Sequence, residues 1–329
     1  MQYRQFGKTE LLVSEVGFGA WAIGGAAMIG NTAIGWGEVD DTETKKAIHR
    51  SLDLGINFFD TADIYGLGHS EEIIGASIGK RKDVIIASKG GNVSREGQFT
   101  VDYSFEHLIK ACEDSLKRLK RDHIDYYQLH SARKQHIEEG ECLRAMEQLK
   151  QDGKIRYWGL SLPTFEPGTE AKQLMDKNTG DGFQLVLNII NQRALPVIRE
   201  TATKGYGIIA RMPLQFGLLT GKFDTKTTFS TSDHRNKRLP SALIHLANET
   251  LGPAWKLCNK YNINKTQLAL SYVLSYPELS IVIPGIRTTK HAEDNTTGLV
   301  KLEKADVEKI ELMGQEELMP VMEKIVALG

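Results

Sequence analysis

Residues 40–60 read DDTETKKAIHRSLDLGINFFD, which is a helix, a stop and a strand in one line. Asp40 or Asp41 offers a side-chain oxygen to the free N–H groups of a helix start, and Gly55 after Leu54 supplies the stop. The next residues, Ile56 to Asp60, stay apolar until a carboxylate closes them, the pattern of a strand covered on both faces. The same order recurs outward from here. Ser104 opens a helix to Lys120 ahead of an expected strand from Ile124 to His130. Glu138 to Asp152, closed by Gly153, leads to Arg156 to Ser161. Pro196 to Lys204, ended by Gly205, leads to Tyr206 to Arg211, and Lys265 to Leu274 leads to Ser280 to Pro284. With Val16 to Ala22, Val84 to Lys89 and Phe183 to Asn188, eight strands are expected.

A chain of 329 residues is long enough for two ordinary domains or one large closed one. Eight βα units with no composition break between them predict an α/β fold, a single (β/α)8 TIM barrel over residues 1–329. Two additions are expected. Tyr3 to Gly17, with Gly7, Lys8 and Thr9 at its turn, reads as an N-terminal β-hairpin that plugs the barrel bottom. Gln215 to Ser241, polar and longer than a compact connection, reads as a long loop after strand seven.

The 41 Lys and Arg against 42 Asp and Glu leave a net charge of −1, so no overall field draws the chain to nucleic acid or an anionic membrane. Its 41% hydrophobic and 25% charged residues are ordinary globular values. Cys112, Cys142 and Cys258 lie far apart without metal-ligand spacing, which argues against structural zinc and a disulfide framework. The opening MQYRQFGKTE lacks the apolar run of a secretory signal, and a cytoplasmic location is expected. Oligomeric state is not readable.

Which residue closes each strand is more informative. Strands two to seven end at Asp60, Lys89, His130, Ser161, Asn188 and Arg211. In a parallel barrel these ends share one rim, where barrel enzymes place their sites. Each has a bland explanation alone, but one pocket accounts for all six. Tyr65, in the loop after Asp60, carries a phenol too weak to act as an acid near neutrality. An adjacent Lys89 ammonium would stabilise the phenolate, and Asp60 would hold that ammonium in place. His130, as a neutral imidazole, would orient a carbonyl oxygen against the tyrosine hydroxyl. The set suits reduction of an aldehyde or ketone, a small-molecule carbonyl substrate, by hydride from a nicotinamide.

Gly17-x-Gly19-x-x-Ala22 matches a Rossmann fingerprint, but the glycine-rich stretch that follows cannot be the helix that would hold a pyrophosphate. The better anion sites lie late in the chain. Arg287, Lys290 and His291 open a helix reaching Asn295, which suits a 2′-phosphate and favours NADPH over NADH. Gly217, Gly221 and Lys222, in MPLQFGLLTGKF, suit a pyrophosphate.

At these residues the chain resembles the aldo-keto reductase superfamily. The segments GFGAWAIGG, INFFDTADIYGLGHSEEIIG, IIASKGG, DYYQLH, GLS, MPLQFGLLTGKF and IPGIRTTKHAEDN carry the resemblance over nearly the whole length. It implies a barrel with an N-terminal hairpin, NADPH bound without a Rossmann fold, and Asp60, Tyr65, Lys89 and His130 as catalytic residues. It also implies that Gly19, Ala20 and Trp21 lie near nicotinamide and substrate, with Ser161 and Asn188 on the carboxamide. Pro213, Leu214, Gln215, Gly217, Leu219, Gly221 and Lys222 would follow the pyrophosphate. Gly285, Arg287, His291, Asp294 and Asn295 would surround the adenosine. Leu162, Asn191 and Arg211 depart from the family pattern. A guanidinium at Arg211, where an aromatic usually stacks on the nicotinamide, would disfavour the positively charged oxidised cofactor.

Three other readings compete. Lys89 could form a Schiff base, as in barrel aldolases. Asp60, Asp63 and His130 could hold a metal, but the spacing is poor. The barrel could also be a cofactor-binding regulatory module, as potassium-channel β subunits are. Trp21, Trp36 and Tyr65 suggest an aromatic-walled mouth. The charge run His234, Arg235, Lys237 and Arg238 could meet a phosphate or sugar carboxylate but reads rather as a solvated face.

Overall fold

The computed structural model describes residues 1–329. Eight parallel strands follow one another around a single sheet: Phe18–Gly19, Phe58–Asp60, Ile85–Gly90, Ile124–His130, Ile155–Ser161, Gly182–Val186, Gly207–Arg211 and Ile281–Ile283. Parallel bridges from Val16 to Val282 and from Gly19 to Gly285 join the last strand to the first. The Gly17 N–H donates to the Val282 carbonyl at 2.8 Å, and the Gly19 N–H to that of Pro284 at 3.0 Å. A Cβ on Gly19 would stand 2.7 Å from that Pro284 oxygen, so closure at this point needs glycine. The sheet is a barrel.

The apolar runs that signalled strands are the residues buried on both faces. Phe58, Ala87, Tyr126, Ile209 and Ile281 point inward and pack with Phe6, Leu11 and Val13 of the N-terminal hairpin, whose strands Tyr3–Gln5 and Leu12–Ser14 pair antiparallel. The Lys8 N–H donates to the Gly205 carbonyl, just ahead of strand seven, so the hairpin plugs the end opposite the polar rim. Outward residues such as Phe59, Ile86, Tyr127 and Leu160 join the helices in the main core.

Helix Asp41–Asp53 begins where its cap demands: the Asp40 carboxylate accepts from the Thr42 and Glu43 N–H groups. Ser104 caps Phe105–Leu119, and Asn264 with Gln267 forms a capping box on Lys265–Leu274. The expected helix from Glu138 to Asp152 is two, Lys134–Glu139 and Glu141–Gln151, because Gly140 turns left-handed at φ 81° between them. No long helix follows Gly19, only the short turn Trp21–Gly24 and a small hairpin, Met28–Ile29 with Thr32–Ala33. The Rossmann spacing is therefore coincidental. No helix is long and apolar enough to cross a membrane.

Candidate active site

Strand direction brings Asp60, His130, Ser161 and Arg211 to the wall of one cavity of about 680 Å³, with Lys89 buried behind Asp60 and Tyr65. At its floor the Lys89 ammonium donates to Asp60 Oδ1 at 2.6 Å, to the Thr61 carbonyl at 2.7 Å and to the Tyr65 hydroxyl at 3.3 Å. Lys89 is 0% exposed. Burial alone would pull its ammonium toward the neutral form, but Asp60 and Tyr65 outweigh that and hold its pKa above the ordinary value. Such a lysine is held protonated with its N–H groups engaged, so it has no free lone pair to attack a carbonyl, which counts against the aldolase reading.

The Tyr65 phenol differs from the expectation in direction. Burial pushes its pKa above 10, and the Lys89 charge offsets only part of that rise. The Tyr65 hydroxyl therefore keeps its proton near neutrality, and the Lys89 charge is the largest influence favouring its release. His130 meets Tyr65 edge to face, with ring centres 5.8 Å apart. Burial first, then the Lys89 and Arg211 charges, push its pKa well below 6.5, so the ring is the neutral imidazole that was expected. Tyr103 donates to the His130 backbone carbonyl at 2.6 Å, while the ring Nδ1 has no partner.

Two residues escaped the sequence reading. Asp60 Oδ2 accepts from Gln184 at 2.7 Å and from Gln128 at 3.1 Å, so both carboxylate oxygens are satisfied. Gln128 sits two residues before His130, on the same strand face, and a polar residue at that spacing in an apolar strand was the available signal. Asn188 lies beyond strand six, which ends at Val186. Its side chain is occupied inside the fold: it accepts from the Ile190 and Asn191 N–H groups and donates to the Met212 carbonyl and to Gln215. Gln184, not Asn188, is the strand-six amide that lines the cavity.

Gly19, Ala20, Trp21, Ser161, Arg211, Pro213, Leu214, Gln215, Gly217 and Lys222 line one continuous wall, and Gly285, Arg287, His291, Asp294 and Asn295 extend it. Leu219 and Gly221 lie outside it, Leu219 because its side chain is in the main core. Arg211 donates to the Leu162 carbonyl at 3.1 Å and to Thr164 at 3.2 Å, leaving its buried Nε free. His291 Nδ1 is also unpartnered. The anion site at helix Thr289–Thr296 is less open than expected. Glu43 Oε1 accepts from both the Thr289 N–H and its hydroxyl at 3.0 Å, and Lys290 and Lys222 both lean on Asp294.

Of the charge run in the long loop only Lys237 is the solvated side chain expected; His234 is buried and Arg235 and Arg238 are half-buried. His234 is 5% exposed and stacks on Trp21 at 4.6 Å, with Trp36 and Phe216 edge-on. The His234 N–H bonds back to Gly35, and Asp233 bridges to Trp36. Trp21 itself stacks on Tyr65 at 5.9 Å, so the expected aromatic wall forms. Arg238 lines the cavity over Phe216, whereas Lys237 is exposed.

The model of the Aldo/keto reductase family matches residues 15–314. The chain belongs to the aldo-keto reductase family. The uncharacterized oxidoreductase YqkF of Bacillus subtilis is 32% identical over 90% of both chains. The aldo-keto reductase YhdN of the same organism is 31% identical, over 87% of this chain and 85% of its own. The glycerol dehydrogenase AKR11B4 from Gluconobacter oxydans superposes with a TM-score of 0.77 at 28% identity, over 94% of both chains. An aldo-keto reductase is an oxidoreductase, and the cavity lies at the strand-end rim, the face on which parallel barrels carry their sites.

Proposed function

We propose that the protein reduces an aldehyde or ketone to an alcohol, with NADPH as hydride source, NADH admitted, and Tyr65 as general acid. The observation that carries the reading is the buried Lys89 ammonium bridging the Asp60 carboxylate and the Tyr65 hydroxyl on the cavity floor. When bound, the nicotinamide cofactor supplies a hydride. The cavity suits it, with an unpartnered N–H at Arg211, an unpartnered ring nitrogen at His291 and cations at Lys222 and Arg287 on one wall.

The chain's own residues do the rest. Tyr65 and the neutral His130 present hydrogen-bond donors to the substrate oxygen, and Tyr65 gives up its proton as negative charge develops there. Lys89 stabilises the phenolate left behind, and Asp60 keeps Lys89 charged. Gln128 and Gln184 fix Asp60 so that its second oxygen does not wander. Of the residues that line the cavity, Ser161 and Gln184 would hold the carboxamide end of the cofactor, Pro213, Leu214, Gln215 and Gly217 its pyrophosphate, and Arg287 and Asn295 its adenosine.

Tyr65→Phe tests the reading. Carbonyl reduction is expected to fall by about a hundredfold or more, the usual range for losing a positioned general acid. NADPH binding, read by quenching of tryptophan fluorescence, is expected to stay unchanged. Full activity in the variant sinks the assignment.

A further inference from the structure

The long loop after strand seven sets a cation into the cavity wall without a partner. Arg235 and Arg238 open and close the short helical turn Arg235–Arg238, and both line the cavity. Arg235 is engaged. It donates from Nε and Nη2 to the Asp233 carboxylate, at 3.0 and 2.6 Å, with its guanidinium over the Trp36 and Phe229 rings. The half-buried Arg238 guanidinium makes no hydrogen bond and no ion pair, and lies over the Phe216 ring at 5.3 Å. Burial lowers its pKa with no carboxylate in reach to offset it, yet a guanidinium so placed stays charged.

No acid of the cavity is available to it. The carboxylates on the wall are Asp60, held by Lys89, Gln128 and Gln184, and Asp294, held by Lys222 and Lys290. Around Arg238 stand further donors instead. Burial lowers the Arg211 pKa, Tyr65 and Asp60 offset part of that, and the Arg238 charge adds to the lowering; the buried Arg211 Nε has no partner. His234, also on the wall and 5% exposed, has no partner for either ring nitrogen. With its pKa pushed down to about 3 the ring is neutral, so one of those nitrogens carries a proton that no protein atom accepts. Buried polar groups are ordinarily paired, and a cluster of unpaired donors marks a place for an acceptor from outside. The place is preformed, because the His234 N–H donates to the Gly35 carbonyl at 3.0 Å and Asp233 bridges to Trp36.

We propose that the substrate carries an anionic group, a carboxylate or a phosphate, that docks on Arg238 beside Arg211 and His234, with Arg238 as the specificity-determining residue. The proposal rests on the reductase reading of the same cavity. Arg211 links the two ends of such a molecule, since its charge senses both the catalytic Tyr65 and Asp60 and the Arg238 guanidinium. An anion there gains a charge-assisted hydrogen bond and relieves the repulsion between two like charges. The rival occupant is the cofactor pyrophosphate, which the function proposed above seats farther along the wall, from Pro213 to Gly217.

Matched aldehydes reduced with NADPH by the full chain test it: succinic semialdehyde against butanal for a carboxylate, and glyceraldehyde 3-phosphate against glyceraldehyde for a phosphate. The wild type is expected to favour the anionic member of at least one pair in kcat/KM by about tenfold or more, the worth of one charge-assisted hydrogen bond. The pair that shows it names the group. Arg238→Gln is expected to remove most of that preference, mainly through KM, and Arg238→Lys, which keeps the charge, to recover part of it. Added salt should erode the preference in the wild type. NADPH affinity, read by tryptophan fluorescence, should not move in either variant. No preference in either pair overturns the proposal, as does a preference that survives in Arg238→Gln. Loss of NADPH affinity in that variant overturns it too, by assigning the cation to the pyrophosphate. Turnover of none of the aldehydes by the wild type, with cofactor bound, instead overturns the reductase reading and this proposal with it.

Discussion

The Lys89 ammonium lies 2.6 Å from Asp60 Oδ1 in a pocket that excludes water from both, with side-chain exposures of 0% and 3%. Two opposite charges in such a place are mutually dependent, since either alone would be a buried, uncompensated ion. Asp60→Asn is expected to cost about 3–5 kcal/mol of stability, the usual penalty for stranding one member of a buried pair. It is also expected to lower kcat because Lys89 loses the group that keeps it charged beside Tyr65. Urea unfolding and steady-state kinetics check both. The native Lys89 pKa is raised, so its stabilising contribution is complete below the ordinary lysine value and is lost only as pH climbs through the native one. The Lys89 contribution should therefore be insensitive to pH across the neutral range.

His234 behaves in the opposite sense. Burial, then the Arg238 charge, push its pKa down to about 3. An unfolded chain takes up a proton here as pH falls below about 6.5, and the native chain does not, so stability declines from there toward pH 3. At pH 5 the deficit from this residue alone is about 2 kcal/mol, from 1.36 kcal/mol per unit over about 1.5 units. His234→Phe keeps an aromatic ring between Trp21 and Trp36 and removes the titration. The difference in urea unfolding free energy between pH 7 and pH 5 should shrink by about that amount. An unchanged difference would mean that the ring titrates in water.

Arg211 occupies the end of strand seven, where the family usually places an aromatic residue, and its guanidinium faces the cavity. A fixed positive charge beside the nicotinamide favours the reduced ring over the cationic oxidised one. NADPH is expected to bind more tightly than NADP+ in a fluorescence titration, and Arg211→Gln to narrow the gap. Equal affinities in the wild type would refute this.

What the sequence reveals follows from the range of the forces involved. Asp60, Lys89 and His130 are legible because each ends an apolar run, and strand polarity in a closed parallel barrel carries all such ends to one rim. The hairpin plug is legible for the same kind of reason, a turn signal between two short extended runs. Asn188 misleads because an apolar run does not say where pairing stops. The chain leaves the sheet at Val186, and the asparagine becomes the anchor of the next turn. The burial of His234 is not legible at all. Its charged neighbours read as solvent-facing, and only the return of the loop onto Gly35 and Trp36, far away in sequence, seats it against Trp21. The same holds for Glu43, an ordinary first-turn carboxylate by its own helix, which reaches across to Thr289.

That contact bears on cofactor choice. The N-terminus of helix Thr289–Thr296 carries the partial positive charge that attracts an anion, Arg287 stands beside it, and the Thr288 hydroxyl caps the His291 N–H. Glu43 already satisfies the Thr289 N–H and hydroxyl, and those bonds hold its own pKa below the ordinary carboxylate value. A second anion brought to the same helix end, such as a ribose 2′-phosphate, therefore meets a fixed negative charge, whereas a plain ribose does not. Glu43→Gln removes the charge and keeps an acceptor oxygen for Thr289. It is expected to tighten NADPH binding by severalfold, most visibly at low salt, and to leave NADH binding almost unchanged. Parallel fluorescence titrations of wild type and variant with both cofactors make the comparison. Equal shifts for NADPH and NADH would place the 2′-phosphate away from this helix end and leave Arg287 as its only determinant.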